Sequence, residues 1–590
     1  MKLARAALLF AFVLGCEPAT RPPQPVAPTS SAALAPPPPA FPAGWPHKMD
    51  APAVSGARGM VVSDAALATR VGVEVLKSGG NAVDAAVATA FALAVVYPGA
   101  GNIGGGGFMV ARVAGAMHAL DFRETAPAAA SHDMFKKKAD KGGDSRVGHL
   151  ASGVPGSVAG LWEAHQKLGS KKKTWAELVA PAIKLAREGF VVDADLASGV
   201  KDHDKRLTPF PASAALFYPE GKPIAEGSTW KNPDLAITLE RIAEGGPAGF
   251  YEGLTADLIA AEMKRGSGII TKADLAGYRA KWRAPIEFTY RGRKVVSMPP
   301  PSSGGLTLAM IAHILEGHDL PGMSFQSPAE LHLVFEAMRR AFVARNEKLG
   351  DPDFVTNPTE ALLSPAWAAA QRATIKPGRA TPTAEIAPPE GSVNGAGPHT
   401  THFSVVDEQG NAVALTTTIN VFYGSGVTVT GAGFLLNNEM DDFATVPGKP
   451  NIFGLVQGEV NSVAPGKRML SSMSPAIVLD AQGQVELVLG GAGGPTIITA
   501  VFQELSAVID HHLPIGAATH APRFHEQGQP DFVMFEKGGL AAETRKALEA
   551  MGHSFKERNH IADAPAIGRG PGVWLGAAEP RRMGSLAAGY

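Results

Sequence analysis

Residues 398–418 read PHTTHFSVVDEQGNAVALTTT. Two runs in this stretch, Thr401–Val406 and Ala412–Thr418, are apolar and rich in β-branched residues. Between them lies Asp407-Glu408-Gln409-Gly410-Asn411. Branched side chains suit a pleated surface, and Gly, Asn and Asp suit a turn, so the stretch predicts a pair of joined strands. Ala476–Leu479 and Val485–Leu489 repeat the strand pattern, and Thr496–Asp510 reads as a long buried helix. Upstream, Asp64–Ser78 has helical spacing (Ala65, Ala68, Val71, Val75) and runs into Gly79-Gly80, a helix stop. Asn81 suits an N-cap for Ala82–Val96, which is small or apolar on every side, as a fully buried helix must be. Trp175–Gly189 and Pro328–Leu349 read as amphipathic scaffold helices. Strands packed between helices predict a layered α/β body.

The chain has 590 residues, 45% hydrophobic and 18% charged, with a formal net charge of -1. That balance offers no bulk attraction for nucleic acid or anionic lipid, so function must come from a specific site. A single cysteine, Cys16, excludes a disulfide framework and a cysteine-ligated zinc site. No H-E-x-x-H run occurs, and His511-His512 reads as a polar helix end. No metal and no organic cofactor is expected.

The N-terminus reads as a targeting segment. Lys2 and Arg5 precede an apolar run, Ala6–Leu14, too short to span a bilayer. Val13-Leu14-Gly15-Cys16 resembles a bacterial lipobox, which implies cleavage before Cys16 and lipidation of its sulfur. A plain secretory signal with an incidental cysteine is the competing reading. Residues 17–45, rich in Pro, Ala, Ser and Thr, read as an extended tether. The expectation is an exported lipoprotein of the periplasm or cell envelope, held to the membrane by that anchor alone.

Several short motifs stand at fixed places. Gly104–Gly107 precedes Asp121-Phe122-Arg123-Glu124, and Pro299-Pro300-Pro301-Ser302-Ser303-Gly304-Gly305 stands alone. After Pro398-His399-Thr400-Thr401-His402 come Thr418, Asn420 and Leu435-Leu436-Asn437-Asn438-Glu439-Met440-Asp441-Asp442-Phe443. Leu470-Ser471-Ser472-Met473-Ser474-Pro475, Gly490-Gly491-Ala492-Gly493-Gly494 and the terminal Leu586–Tyr590 complete the set. The glycine run lacks the Gly-Lys-Ser/Thr of a phosphate loop, and no Gly-x-Ser-x-Gly elbow is present.

In order and spacing these motifs resemble the γ-glutamyltransferase family, from about Asp64 to Tyr590. The resemblance implies a four-layer αββα sandwich of the N-terminal-nucleophile type. It implies a precursor cut between His399 and Thr400 into a large subunit (46–399) and a small catalytic subunit (400–590), which stay together as a heterodimer. Thr400 then carries both hydroxyl and free α-amine. The amine, with a reference pKa of about 7.7–8.0, is the base that a threonine hydroxyl needs. By the same resemblance, Thr418 supports the nucleophile and Gly493 and Gly494 form the oxyanion hole. Arg123, Ser471 and Ser472 match the family's receptors for the substrate α-carboxylate. Asn420, Glu439 and Asp442 match those for its α-ammonium. Pro447–Asn461, with Phe453, matches a lid that some members carry.

The implied activity is cleavage of the γ-glutamyl amide of glutathione and related compounds, with transfer to water or to an amino acid or dipeptide acceptor. Three alternatives stand beside it. A cephalosporin (glutaryl) acylase would have no α-ammonium for Glu439 and Asp442 to bind. A poly-γ-glutamate depolymerase would want an open cleft, against the lid. A non-catalytic surface lipoprotein would not need to retain Thr400 and both glycines.

Overall fold

The computed structural model describes residues 37–136, 145–386 and 400–590. Cys16 and His399 therefore lie outside the described residues, as do residues 17–36 of the expected tether. Residues Pro38–Tyr590 cluster as one unit.

Two seven-stranded sheets form the centre. The first runs, edge to edge, Leu586–Gly589, Met60–Ser63, Thr400–Val406, Ala412–Thr418, Gly106–Val113, Ala116–Asp121 and Lys281–Arg283. The second runs Val54–Gly56, Val573–Ala577, Ala566–Gly570, Val485–Leu489, Ala476–Leu479, Arg293–Ser297 and Ile286–Tyr290. Every neighbouring pair in both is antiparallel.

The first sheet is covered on its outer face by the helices Ala66–Lys77 and Ala82–Val96. Its inner face meets the second sheet, which is backed by Gly304–Glu316, Pro328–Lys348 and Thr496–Ile509. The order helix, sheet, sheet, helix is the expected αββα sandwich. The four sequence-predicted strands and the Ala82–Val96 helix appear within a residue of their expected ends.

Ala82–Val96 is buried at every position. Asn81 accepts from the Val83 and Asp84 amides and the Asp84 carboxylate returns the bond to Asn81, a reciprocal cap of the kind that contributes about 1 kcal/mol. Asp407 ties this helix to the hairpin. One oxygen accepts from the Gln409 and Asn411 amides, and the other from the Ala82 amide at 2.9 Å. One turn residue thus fixes both the hairpin register and its seat beneath the helix layer. That register sets Thr400 directly opposite Thr418.

The glycine run is a packing device. A Cβ on Gly105 would lie 2.0 Å from the Thr418 carbonyl oxygen, and one on Gly104 2.1 Å from that of Leu435. Only glycine lets this strand approach so closely.

Candidate active site

Thr400 opens its strand and is buried. Its Oγ1 donates to Thr418 Oγ1 at 3.3 Å, and Thr418 Oγ1 also accepts the Asn420 amide at 2.8 Å. Asn420 has a φ of 75°, a left-handed turn that asparagine tolerates, and its Nδ2 donates to the Asn438 carbonyl. That leaves Asn420 Oδ1 free of protein donors among the described residues, so it remains an acceptor.

These three side chains line one cavity. Arg123, Glu439, Asp442, Ser471 and Ser472 line it too, as do Gly494 and Phe453. Nine of the ten catalytic and substrate residues expected from sequence therefore meet in one place. The tenth, Gly493, adjoins Gly494 in the turn before the helix Thr496–Ile509. Both glycines have positive φ (145° and 61°), and neither amide donates a hydrogen bond among the described residues. Two unspent N–H groups, one of them on a residue lining the cavity, suit the oxyanion role expected for these glycines.

Arg123 sits at the acidic side. Its Nη1 lies 2.8 Å from Glu439 and 3.6 Å from Glu124, and its Nη2 donates to Asp442 at 2.5 Å. Burial opposes its charge, but Glu439, Asp442 and Glu124 outweigh that and hold its pKa above the ordinary arginine value. Burial also raises the acids. Glu124 is pushed up to about 8, and Glu439 and Asp442 rise as well, although Arg123 opposes each shift. The result is a cation surrounded by acids that hold their protons unusually tightly.

The segment Pro447–Asn461, the expected lid, is tied to this cluster by hydrogen bonds. The Ile452 amide donates to Asp441 Oδ2 at 2.9 Å, and Asn461 Nδ2 donates to the Asp442 carbonyl at 2.7 Å. Phe453 lies against Gly494, where a Cβ would come within 2.8 Å of its ring. Outside the motifs quoted from the sequence, Arg345, Leu455, Pro495 and Ile497 also line the cavity. Arg345 belongs to a helix taken as scaffold, and Leu455 belongs to the lid.

A family model described as Gamma-glutamyltranspeptidase matches residues 68–589. The chain belongs to the gamma-glutamyltranspeptidase family. The glutathione hydrolase proenzyme of Escherichia coli (strain K12) is 46% identical over 567 residues, spanning 95% of this chain and 96% of that protein. Among solved structures, the gamma-glutamyltranspeptidase of Helicobacter pylori is 44% identical, with a TM-score of 0.53 over 55% of this chain and 93% of that one. A cephalosporin acylase from Bacillus halodurans gives a TM-score of 0.80 at 28% identity, over 93% of this chain and 99% of that one. Membership fits the sandwich and the threonine-headed strand, and the proenzyme name of the Escherichia coli relative fits a precursor that is processed.

Proposed function

We propose that this protein is a γ-glutamyltransferase and glutathione hydrolase that works through an acyl-enzyme on Thr400. The observation that carries the reading is the company of the nucleophile. Within one cavity Thr400 meets the guanidinium groups of Arg123 and Arg345, the hydroxyls of Ser471 and Ser472, and three acceptors, Asn420, Glu439 and Asp442. A γ-glutamyl head, with one carboxylate and one ammonium, matches that two-signed lining.

The chain first cuts itself. Thr400 Oγ1 attacks the carbonyl of His399, an ester replaces the amide, and water hydrolyses it, leaving a free amine on Thr400. That amine then takes the hydroxyl proton as Oγ1 attacks the γ-carbonyl of the donor. The Gly493 and Gly494 amides receive the developing oxyanion, and removing one such donor typically costs about 10²–10³ in kcat. The leaving amine takes a proton as it departs. Water or the amine of an acceptor then attacks the γ-glutamyl ester, restoring Thr400. Phe453 and the lid keep bulk water off the ester, which strengthens the polar contacts inside.

An acylase reading has support in the Bacillus halodurans likeness. It leaves Glu439 and Asp442 without an ammonium to bind, so the glutamyl reading is preferred. Glutamate release from glutathione, with and without a dipeptide acceptor, tests it. Release that is diverted to γ-glutamyl dipeptide by the acceptor is expected, and fully cut protein that releases none overturns it. Thr400→Ala should stay a single chain, and cutting at the same bond would refute self-cleavage. We further infer that the large and small fragments remain paired and that Cys16 carries a lipid anchor outside the cytoplasm. Among the described residues no helix is long and apolar enough to cross a membrane. Cys16→Ala should leave the membrane fraction, and retention there would require another anchor.

A further inference from the structure

The run Pro299–Gly305, which no catalytic role absorbs, meets the helix Pro328–Lys348 at one side chain, Arg345. Arg345 is fully buried and lines the cavity of Thr400. Its Nε donates to Ser303 Oγ at 2.9 Å, its Nη1 to Asn346 Oδ1 at 2.8 Å and its Nη2 to Ser472 Oγ at 3.1 Å. All three acceptors are neutral, and among the described residues no carboxylate forms an ion pair with it. Asp442 acts on it only through space, and burial lowers its pKa to about 10, so it stays charged near neutral pH.

The consequences for the hydroxyls follow from donor and acceptor counts. A serine hydroxyl has one proton and two lone pairs. Ser472 Oγ accepts from Arg345, so its proton is turned away from the guanidinium. Ser471 Oγ accepts from the Met473 amide at 3.1 Å, so its proton is likewise unspent. Neither hydroxyl donates to a protein group among the described residues. The Ser471 backbone is pinned from the same source. Ser303 donates to the Ser471 carbonyl through its amide at 2.8 Å and its Oγ at 2.6 Å, while its Oγ accepts from Arg345. Arg345 therefore holds the Ser472 hydroxyl directly and the Ser471 backbone through Ser303. It also contributes a cation with no paired acid, whereas Arg123 is engaged by acids.

We propose that Arg345 is a positioning residue that selects donors carrying a free α-carboxylate, by holding the Ser471–Ser472 turn and the Ser472 hydroxyl and by adding a second buried guanidinium to that of Arg123. The inference rests on the γ-glutamyl reading above and gives its second arginine a role.

The test compares two donors on cut, purified enzyme: a γ-glutamyl anilide, and the same molecule with its α-carboxylate replaced by a carboxamide. The wild type should prefer the carboxylate donor in kcat/KM. Arg345→Met should shrink that preference at least tenfold, chiefly through a raised KM for the carboxylate donor. Arg345→Lys, which keeps charge but not the fork, should fall between them. Equal losses on both donors, with the ratio unchanged, would mean a merely structural arginine and would overturn the proposal. If Arg345→Met yields no folded protein, the ratio for Arg345→Lys decides, and an unchanged ratio overturns the proposal in the same way. A wild type that cleaves neither donor would instead sink the functional reading, and this inference with it.

Discussion

Two buried arginines face the same cavity in opposite company. Arg123 is held by Glu439 and Asp442 with Glu124 close by, while Arg345 is held by Ser303, Asn346 and Ser472. The first is a charge among charges that can gain or lose protons. The second is a charge among dipoles that cannot. Replacing an arginine in the first setting strands buried carboxylates, whereas in the second it strands hydroxyls and an amide.

The sharpest way to break this contrast is to remove each charge and follow stability with pH. Arg123→Met should cost about 3–5 kcal/mol at pH 8, read from the denaturant midpoint. The cost should be smaller at pH 5, where protons on Glu124, Glu439 and Asp442 replace the lost cation. Equal costs at both values would mean that the acids do not titrate with Arg123. Arg345→Met should cost about 1–3 kcal/mol, the cost of unmade hydrogen bonds, and should change less between pH 5 and 8 than Arg123→Met does, because Asp442 acts on Arg345 only through space. A strong pH dependence there would erase the distinction. Arg123→Lys keeps the charge and loses the planar fork, so KM for a γ-glutamyl donor should rise roughly tenfold, or about 1.4 kcal/mol. An unchanged KM would take Arg123 out of the binding site.

The last test concerns Glu124 alone. Its pKa is raised in the fold, so the native state holds a proton that the unfolded chain releases above about 4.5. The stability this contributes is fully present at low pH and is lost as pH rises through about 8. Glu124→Gln should remove that part of the decline and flatten the stability profile between pH 5 and 8. A profile as steep as that of the wild type would assign the titration to other groups.

How much of this was legible in the sequence depended on whether a residue's partners lie near it. Ala82–Val96 announced its burial because no position carries an exposed polar face. The Thr400–Thr418 hairpin was legible because its turn chemistry sits between its strands. Pro328–Lys348 was read as amphipathic scaffold, yet it buries Glu330, Glu336, Arg339, Arg340 and Arg345. Its charges are satisfied inside by residues far along the chain, such as Thr381 for Glu336 and Asp531 for Arg339. Periodicity cannot see such partners, so polar residues are assigned to water. Most of the residues that line the cavity were legible through family motifs, whereas Arg345 lies in none of them. Pro299–Gly305 was noticed without a role because its role is to receive Arg345 through Ser303. The strands before Thr400 were not read at all. Several are short, and their order in the sheets is set by pairing across hundreds of residues.

That pairing bears on what a cut before Thr400 could do. In the first sheet Thr400–Val406 lies beside Met60–Ser63 and Ala412–Thr418 beside Gly106–Val113, and in the second Ala476–Leu479 lies beside Arg293–Ser297. Strands from either side of the cut thus share continuous ladders in both sheets. Dilution has no purchase on such a pair, because parting the halves means unzipping both sheets. Two differently labelled preparations, mixed after cutting, should keep their original halves until they are denatured.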